Sequence, residues 1–286
     1  MKILVLIPIV LASGCASMRT DVVGAKIRSF DGTEIVYDAR GRGEPALVFI
    51  HGWCCNRGQW DAQMDKFDDD HRVVAIDLGG HGESGRTRGH WTIPDYGHDV
   101  EAVVKAQGLD SVILVGHSMG GPVALMAAAR MPDRVIGVIG VDTLHDVSKK
   151  FDKKAMAPVL QQLADDFPTF VGRFIQQTVT ANPDADAALV ARLTKDALAN
   201  DPKMALDLMR SFLEFDLAEV LKACPVPVRC INASGAAWPT NIEANRQYSD
   251  FNAVEIENVG HWLMLERTEE FDRLLREQVA ALTSVQ

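Results

Sequence analysis

The sequence predicts an α/β protein in which a mostly parallel sheet is flanked by helices. Strand-like apolar runs alternate with helical patterns along most of the 286-residue chain, which is typical of a parallel α/β sheet. Runs such as 46–50 are apolar at every position, as expected of strands buried on both faces. A chain that is 47% hydrophobic and 24% charged has the composition of a globular protein with one large domain, with or without an insertion.

The first half of the chain supplies a hairpin and then the alternating elements. Asp31-Gly32 separates the hairpin strands, because this dipeptide favours a tight turn. Thr92 is a plausible N-cap and Gly108 a C-terminal stop for the long helix that follows. The predicted elements are strands 27–30, 34–37, 46–50 and 72–76, helix 93–106, the strand beginning at Val112, the helix beginning at Gly121, and strand 135–141.

The alternation stops after Asp142 and resumes near residue 226. Residues 145–221 have a helical pattern with no strand-like run, which predicts a helical cap over one sheet edge; ordinary crossover helices are the alternative. The rest of the sheet then follows. We therefore expect a core of residues 25–144 and 222–283 and a cap of 145–221, with strand 226–231, helix 241–248, strand 254–256 and helix 268–282 after the cap.

The N-terminus has the pattern of an export signal. Lys2 precedes the apolar stretch 3–11, and small residues lead to Cys15. Ending on cysteine resembles the signal of bacterial lipoproteins, although Ala12 stands where leucine is commoner; a plain signal peptide is the alternative. Residues 1–14 are thus expected to be removed and Cys15 lipidated. The protein would face the periplasm or the cell surface, touching the membrane only through this anchor, because nine apolar residues cannot span a bilayer.

Charge and cysteine pattern exclude several partner classes. With 29 basic and 39 acidic side chains, the net charge is −10, which disfavours nucleic acid. The acidic run 68–70 is interpreted as a solvated loop, and no Cys/His spacing predicts a metal site. We expect no cofactor. The cysteines Cys54, Cys55, Cys224 and Cys230 are interpreted as packing residues, although an oxidising compartment would permit disulfides whose pairing the sequence does not define.

The pentapeptide 116–120, Gly-His-Ser-Met-Gly, is the most informative motif. It follows an apolar strand and precedes a helix of small residues, which is the setting of a nucleophilic serine on a sharp strand–helix turn. Side chains two residues on either side of Ser118 would collide with the neighbouring strand and helix, so glycine is needed there. Ser118 is therefore the predicted nucleophile.

A serine nucleophile needs a base and an acid. His261 follows the predicted strand 254–256, in a loop that opens on the same sheet edge as Ser118. The loop after strand 226–231 holds no carboxylate, whereas the preceding strand ends in Asp142. Asp142 would lie about 4.8 Å to one side of the nucleophile's strand. We assign it as the acid; a helix cap or turn residue is the alternative.

The developing oxyanion needs fixed N–H donors. The backbone N–H of Met119 and that of Trp53, in the loop after strand 46–50, are the candidates. The side chains of Trp53 and Trp262 are predicted to line the substrate pocket, although a core position is the alternative for each. His51 is expected to brace its loop.

The other histidines, and the acids that lie among glycines, are expected to have structural rather than catalytic roles. Residues 77–85 have the composition of a tight turn and lack the strand–serine–helix context, so Asp77 and His81 are expected to be structural. No role at the site is predicted for the other loop and helix histidines, which are His71, His90, His98 and His145.

Together these motifs resemble the α/β-hydrolase fold superfamily. The matching stretches are 51–53, 77–85, 116–121 and 259–261. The resemblance implies a capped esterase-like hydrolase that uses Ser118, Asp142 and His261 to cleave small carboxylic esters through an acyl-serine. Many relatives place the acid one strand later, so this sequence departs from the commoner pattern. A carbon–carbon bond hydrolase, a lactonase, or a ligand-binding lipoprotein without turnover remain alternatives, and the oligomeric state is undefined.

Overall fold

A computed structural model describes residues 20–179, 186–235 and 239–284. In this part of the chain, strands form one eight-stranded sheet in the order β1-β2-β4-β3-β5-β6-β7-β8. The strands β1 and β2 join it antiparallel, and the pairs from β4 onward are parallel. The strands are β1 Val22–Arg28, β2 Glu34–Arg40, β3 Ala46–Ile50, β4 Val73–Asp77, β5 Val112–His117, β6 Val135–Val141, β7 Val228–Ala233 and β8 Phe251–Ile256.

Helices cover both faces of this sheet. Its central strands β3 to β6 are almost wholly buried, which explains why they read as continuous apolar runs. The helices are α1 Asp61–Phe67, α2 Ile93–Ala106, α3 Gly120–Arg130, α4 Lys153–Asp165, α5 Phe167–Val179, α6 Ala187–Leu198, α7 Pro202–Glu214, α8 Leu217–Ala223, α9 Ile242–Asn245, α10 Leu263–Glu266 and α11 Thr268–Thr283.

The expected α/β architecture is confirmed, and several element bounds agree with the sequence prediction. Helix α2 spans the predicted residues, and the side chain of Thr92 accepts a hydrogen bond from the backbone N–H of Asp95 at its start. The helical pattern between β6 and β7 corresponds to α4–α8 in the described residues. Pro158 lies inside α4 rather than breaking it; Pro158 and Lys154, whose carbonyl loses its helical donor there, are both exposed, so water can satisfy that carbonyl.

Several predicted strands have different bounds in the structure, and one of them, predicted at 254–256, spans Phe251–Ile256. The strand predicted at 27–30 runs over Val22–Arg28 and ends before Phe30, because Arg28 pairs with Glu34 and the intervening residues form the hairpin turn. The strand predicted at 226–231 begins at Val228 and continues to Ala233. Pro227 has no N–H for a sheet ladder, and the later end brings Asn232 and Ala233 to the edge where the predicted site residues lie.

No helix within the described ranges is long and apolar enough to cross a membrane. The four cysteines of these ranges are free thiols, with Cys54, Cys55 and Cys230 buried, in keeping with their interpretation as packing residues. Residues 1–14 and Cys15, on which the signal and lipid anchor depend, lie outside the described residues.

Candidate active site

Ser118 lies on a sharp turn between β5 and α3. Its backbone adopts the left-handed region, with φ of 52°, which is costly for a residue with a side chain. The turn is held on both sides: the Ser118 N–H donates to the Val141 carbonyl at 2.9 Å, and the Ser118 carbonyl accepts from Gly121 N–H and the Thr143 hydroxyl. The hydroxyl is therefore presented at the carboxyl edge of the sheet on a fixed backbone.

The glycines around Ser118 are required by close backbone approach. A Cβ on Gly116 would lie 2.2 Å from the Gly120 carbonyl oxygen, and one on Gly120 would lie 2.5 Å from the Ile50 carbonyl oxygen. Real side chains do not tolerate such distances from backbone atoms. The glycines two residues before and after the serine thus let strand, turn and helix pack as tightly as this geometry demands.

Asp142 and His261 are hydrogen-bonded to each other at the same sheet edge. Nδ1 of His261 lies 2.5 Å from Oδ2 of Asp142, while Oδ1 of Asp142 accepts the Ala233 N–H at 2.9 Å. Because Oδ2 is an acceptor, His261 carries its proton on Nδ1 and leaves Nε2 as an acceptor. Burial acts to raise the pKa of Asp142, but the hydrogen bond and charge of His261 outweigh it and the pKa is lowered. Asp142 is thus held as a carboxylate.

The loop that carries His261 is fixed from three directions. The Glu266 carboxylate accepts the N–H groups of Gly260 and Trp262, at 2.9 and 3.0 Å. The His261 N–H donates to the Thr178 carbonyl of α5 at 3.1 Å. These bonds orient the imidazole from both the core and the helical block.

His117, which precedes Ser118 in the motif, makes the third contact that fixes the loop carrying His261. Its Nε2 lies 2.9 Å from the His261 carbonyl oxygen and donates to it. Burial, reinforced by the charge of His261, lowers the pKa of His117 to about 3, so the ring is neutral. The sequence motif gave no reason to expect this bond, because it joins residues 144 positions apart.

In the described part of the chain, the Ser118 hydroxyl and the His261 ring are not hydrogen-bonded to each other. Within the described residues, neither Oγ of Ser118 nor Nε2 of His261 has a hydrogen-bond partner. Such bonds are often loose without substrate and tighten only when it binds. The structure therefore brings Asp142 and His261 into direct contact, and places Ser118 beside them through the His117 and Val141 contacts.

The two predicted oxyanion donors are the backbone N–H groups of Trp53 and Met119. Neither N–H donates to a described residue. The two groups belong to neighbouring segments, since Gly52 and Ser118 are so close that a Cβ on Gly52 would lie 3.2 Å from the Ser118 Cβ. As far as the described residues go, both N–H groups can therefore bind a ligand oxygen.

The two predicted pocket tryptophans differ in exposure. Trp53 is half-buried, donates its Nε1–H to the Ala205 carbonyl of α7 at 2.9 Å, and meets Phe170 and Phe174 edge-on. Trp262 is 3% exposed and packs against His117 and His261. Both tryptophans line a small cavity of about 10 Å³, together with residues of α5, α6 and the segment that follows β3.

The other histidines and acids of the neighbouring loops have structural partners. Nε2 of His51 accepts the Leu78 N–H and its Nδ1 contacts the Gly52 carbonyl, so it braces its loop as expected. Asp77 accepts the N–H groups of Arg57 and Glu83 and pairs with the Arg57 guanidinium. His81 is fully buried, with its Nδ1 3.2 Å from the Gly79 carbonyl.

His145, for which the sequence predicted no role at the site, lies beside Asp142. Its Nε2 lies 3.6 Å from Oδ1 of Asp142. The i, i+3 spacing from Asp142 permits this contact, but the spacing alone does not predict it, because the two side chains meet only when the loop between them turns. No cluster of metal-ligating side chains occurs in the described ranges.

The comparisons with known proteins agree with this architecture. Residues 45–214 match the family model described as alpha/beta hydrolase fold. The chain is 28% identical over 261 residues to a pimeloyl-[acyl-carrier protein] methyl ester esterase of Yersinia enterocolitica, covering 85% of this chain and 96% of that protein.

Solved structures show the same fold. An esterase from Exiguobacterium antarcticum superposes with a TM-score of 0.81 at 20% identity, over 90% of this chain and 100% of that one. The enol-lactonase from Burkholderia xenovorans gives 0.78 at 20% identity, with the same coverage of both chains. The family match, the sheet order and the turn at Ser118 lead to one conclusion: this chain belongs to the α/β-hydrolase fold family.

Proposed function

We propose that this protein hydrolyses small carboxylic esters through an acyl-serine intermediate. The observation that carries the proposal is the 2.5 Å contact between His261 Nδ1 and Asp142 Oδ2, beside a serine held on a left-handed turn. A carboxylate-oriented imidazole with a free Nε2 is what a serine needs to become a nucleophile.

The first half of the reaction acylates the serine. Nε2 of His261 takes the proton of the Ser118 hydroxyl as Oγ attacks the ester carbonyl carbon. The resulting oxyanion binds the unpaired N–H groups of Trp53 and Met119. Asp142 stabilises the imidazolium without being protonated itself. The imidazolium then gives its proton to the leaving alkoxide, and the C–O bond to the alcohol breaks.

The second half regenerates the enzyme with water. Nε2 of His261 removes a proton from water, whose oxygen attacks the acyl carbonyl carbon. The tetrahedral intermediate again uses the Trp53 and Met119 N–H groups. As it collapses, Ser118 leaves with the proton held by His261, and the carboxylic acid is released. The cycle is balanced without any metal or cofactor.

The family comparison supports an ester substrate in general terms. The relatives matched by sequence include enzymes named as methyl ester esterases, and the matched structures include esterases and an enol-lactonase. A lactone is an internal ester and reacts by the same steps, so lactones belong in the substrate panel. Carbon–carbon bond hydrolysis and ligand binding without turnover are the outcomes that would replace the proposal.

A paired labelling and turnover experiment tests this function. Fluorophosphonate should label the wild-type protein and not Ser118→Ala. A panel of p-nitrophenyl esters and lactones of increasing acyl length should show turnover that falls by about 10⁴ to 10⁶-fold in kcat in the variant. Unchanged turnover in Ser118→Ala would contradict the mechanism. A labelled protein that turns over no ester would favour the carbon–carbon hydrolase.

We further propose that the enzyme is exported and anchored to a membrane by lipid on Cys15, as its N-terminal pattern indicates. Radiolabelled palmitate should enter the wild-type precursor and not Cys15→Ser, and the wild type should sediment with membranes. If neither form takes up label and neither sediments with membranes, the plain signal peptide is favoured instead.

A further inference from the structure

The Asp142 carboxylate faces two histidines rather than one. His261 bonds to Oδ2, whereas Nε2 of His145 lies 3.6 Å from Oδ1, the oxygen that also accepts the Ala233 N–H. Asp142 is 6% exposed, so little water competes for its charge. The distance to His145 is too long for a full hydrogen bond, but at this buried position little solvent screens the ring N–H from the carboxylate charge.

Neighbouring polar groups determine which ring nitrogen of His145 carries the proton. Oδ1 of Asn232 accepts the Thr143 N–H, so its Nδ2 must donate, and it donates to the Thr240 hydroxyl oxygen at 2.9 Å. The Thr240 hydroxyl therefore has its own proton free for Nδ1 of His145, 3.4 Å away. With Nδ1 as the acceptor, the ring proton is on Nε2 and points to Asp142.

The backbone around His145 is held as firmly as the ring. The His145 carbonyl accepts the Asn241 N–H at 2.7 Å. The Asn245 side chain accepts the Val147 N–H and donates to the Leu144 carbonyl. Asp142 and Leu144 both have left-handed backbones, with φ of 45° and 53°, which persist only where such contacts over-determine them.

His145 is neutral when the enzyme works near neutral pH. Burial lowers its pKa, more than the charge of Asp142 raises it, and the charge of His261 lowers it further. The charged and titratable groups that face it are Asp142, His261 and Glu255 of β8. A neutral ring with its N–H toward Oδ1 draws part of the carboxylate charge away from His261 without adding a positive charge.

We propose that His145 is a positioning residue for the acid: it engages the oxygen of Asp142 that His261 does not use, and so sets both the orientation of the carboxylate and the share of its charge that reaches His261. This inference rests on the proposed ester hydrolysis, because its effect is read through His261 acting as the base. It adds a fourth side chain to the proposed group of Ser118, Asp142 and His261.

The test compares two substitutions with opposite expected outcomes. His145→Leu removes the N–H and should lower kcat on a p-nitrophenyl ester about tenfold, because the Asp142 carboxylate is then oriented less firmly toward His261, with KM changed less than about twofold. Without the His145 N–H, the Asp142 carboxylate stabilises a protonated His261 more strongly. The apparent pKa of the acid limb of kcat/KM should therefore rise by roughly half a unit, which is less than the shift that a full additional charge would cause. His145→Gln keeps an N–H donor and should restore most of kcat and the original acid limb.

The controls separate this inference from folding and from the proposed function. His90→Leu, at an exposed histidine, should leave the rate and its pH profile unchanged. A His145→Leu protein that loses thermal stability but keeps the wild-type acid limb would overturn the inference, as would equal kcat in all forms. Failure of the proposed function would show itself differently, as a wild-type protein that neither turns over ester nor reacts with fluorophosphonate.

Discussion

Two of the side chains that we propose for catalysis stand on strained backbone. Ser118 and Asp142 both have positive φ, a conformation that costs of the order of 1–3 kcal/mol for a residue with a Cβ. Each is held by bonds to a neighbouring strand: Ser118 N–H to the Val141 carbonyl, and Asp142 N–H to the Ile231 carbonyl at 2.9 Å. The strain persists because adjacent strands fix the positions from which the hydroxyl and the carboxylate project.

Asp142→Asn separates the charge of this residue from its backbone role. Asparagine tolerates the left-handed region well, so the variant should fold, with a melting temperature close to that of the wild type. Its neutral amide neither fixes the His261 tautomer nor stabilises the imidazolium, and kcat should fall by up to about 10⁴-fold. Steady-state kinetics beside thermal unfolding check this. A folded variant with unchanged kcat would mean that another group, or a Ser–His pair alone, serves.

At the scale of single elements, the turn from β5 into α3 tolerates no added side chain, whereas other helical positions do. A Cβ on Gly120 of α3 would lie 2.5 Å from the Ile50 carbonyl oxygen, while one on Gly172 of α5 would meet no atom within 4 Å. Gly120→Ala should therefore destabilise the fold by about 1–3 kcal/mol and impair ester turnover. Gly172→Ala, the matched control, should increase the free energy of unfolding by roughly 0.5–1 kcal/mol, because alanine is favoured over glycine inside a helix. Urea unfolding measures both, and equal effects would contradict the close-approach argument.

Elements with local signals were predictable from the sequence. Helix α2 begins at its Thr92 cap, and strand β6 spans its apolar run Val135–Val141. Strand β1 was misjudged because it pairs along one edge only and is half-exposed, so its composition lacks a clear apolar pattern. The β7 strand was misjudged because its limits depend on pairing with β6 and β8.

The site residues divide in the same way. The neighbouring glycines identify Ser118 in the sequence, and Asp142 and His261 are identified because they follow predicted strands. The contacts of His117 and His145 have no such signal, because each depends on how a distant loop folds back onto the sheet edge. Chain order thus predicts which residues reach that edge, whereas the bonds that orient them are set by tertiary packing.

The whole molecule buries a set of neutral histidines beneath the site. His51, His81 and His117 are each at most 1% exposed. Burial lowers the pKa of all three, to about 3 for His117 and well below 6.5 for His81. The rings of His51 and His81 are 4.8 Å apart, so a proton on one would also disfavour a proton on the other.

These histidines should make the folded state sensitive to mild acid. In the unfolded chain they gain protons near pH 6.5, whereas in the folded chain burial lowers the pH at which they do so. The unfolded state therefore binds more protons, and stability falls as pH falls. Each histidine whose folded pKa lies below 5.5 lowers the free energy of unfolding by about 1.4 kcal/mol as the pH falls from 7.5 to 5.5. The raised carboxyl pKa values of Asp61, Asp99 and Asp272 act in the opposite direction, because those groups bind protons more readily when folded.

Urea unfolding between pH 7.5 and 5.5 measures the balance. We expect the free energy of unfolding to fall over this interval, since the three histidines titrate there in the unfolded chain while the carboxyls do so near pH 4. His81→Gln should reduce the average slope over this interval by about half a proton, whereas His90→Leu, at an exposed position, should leave it unchanged. An unchanged slope in His81→Gln would mean that this buried ring accepts a proton in the folded state, and the inference that burial also keeps His117 neutral beside His261 would have to be abandoned.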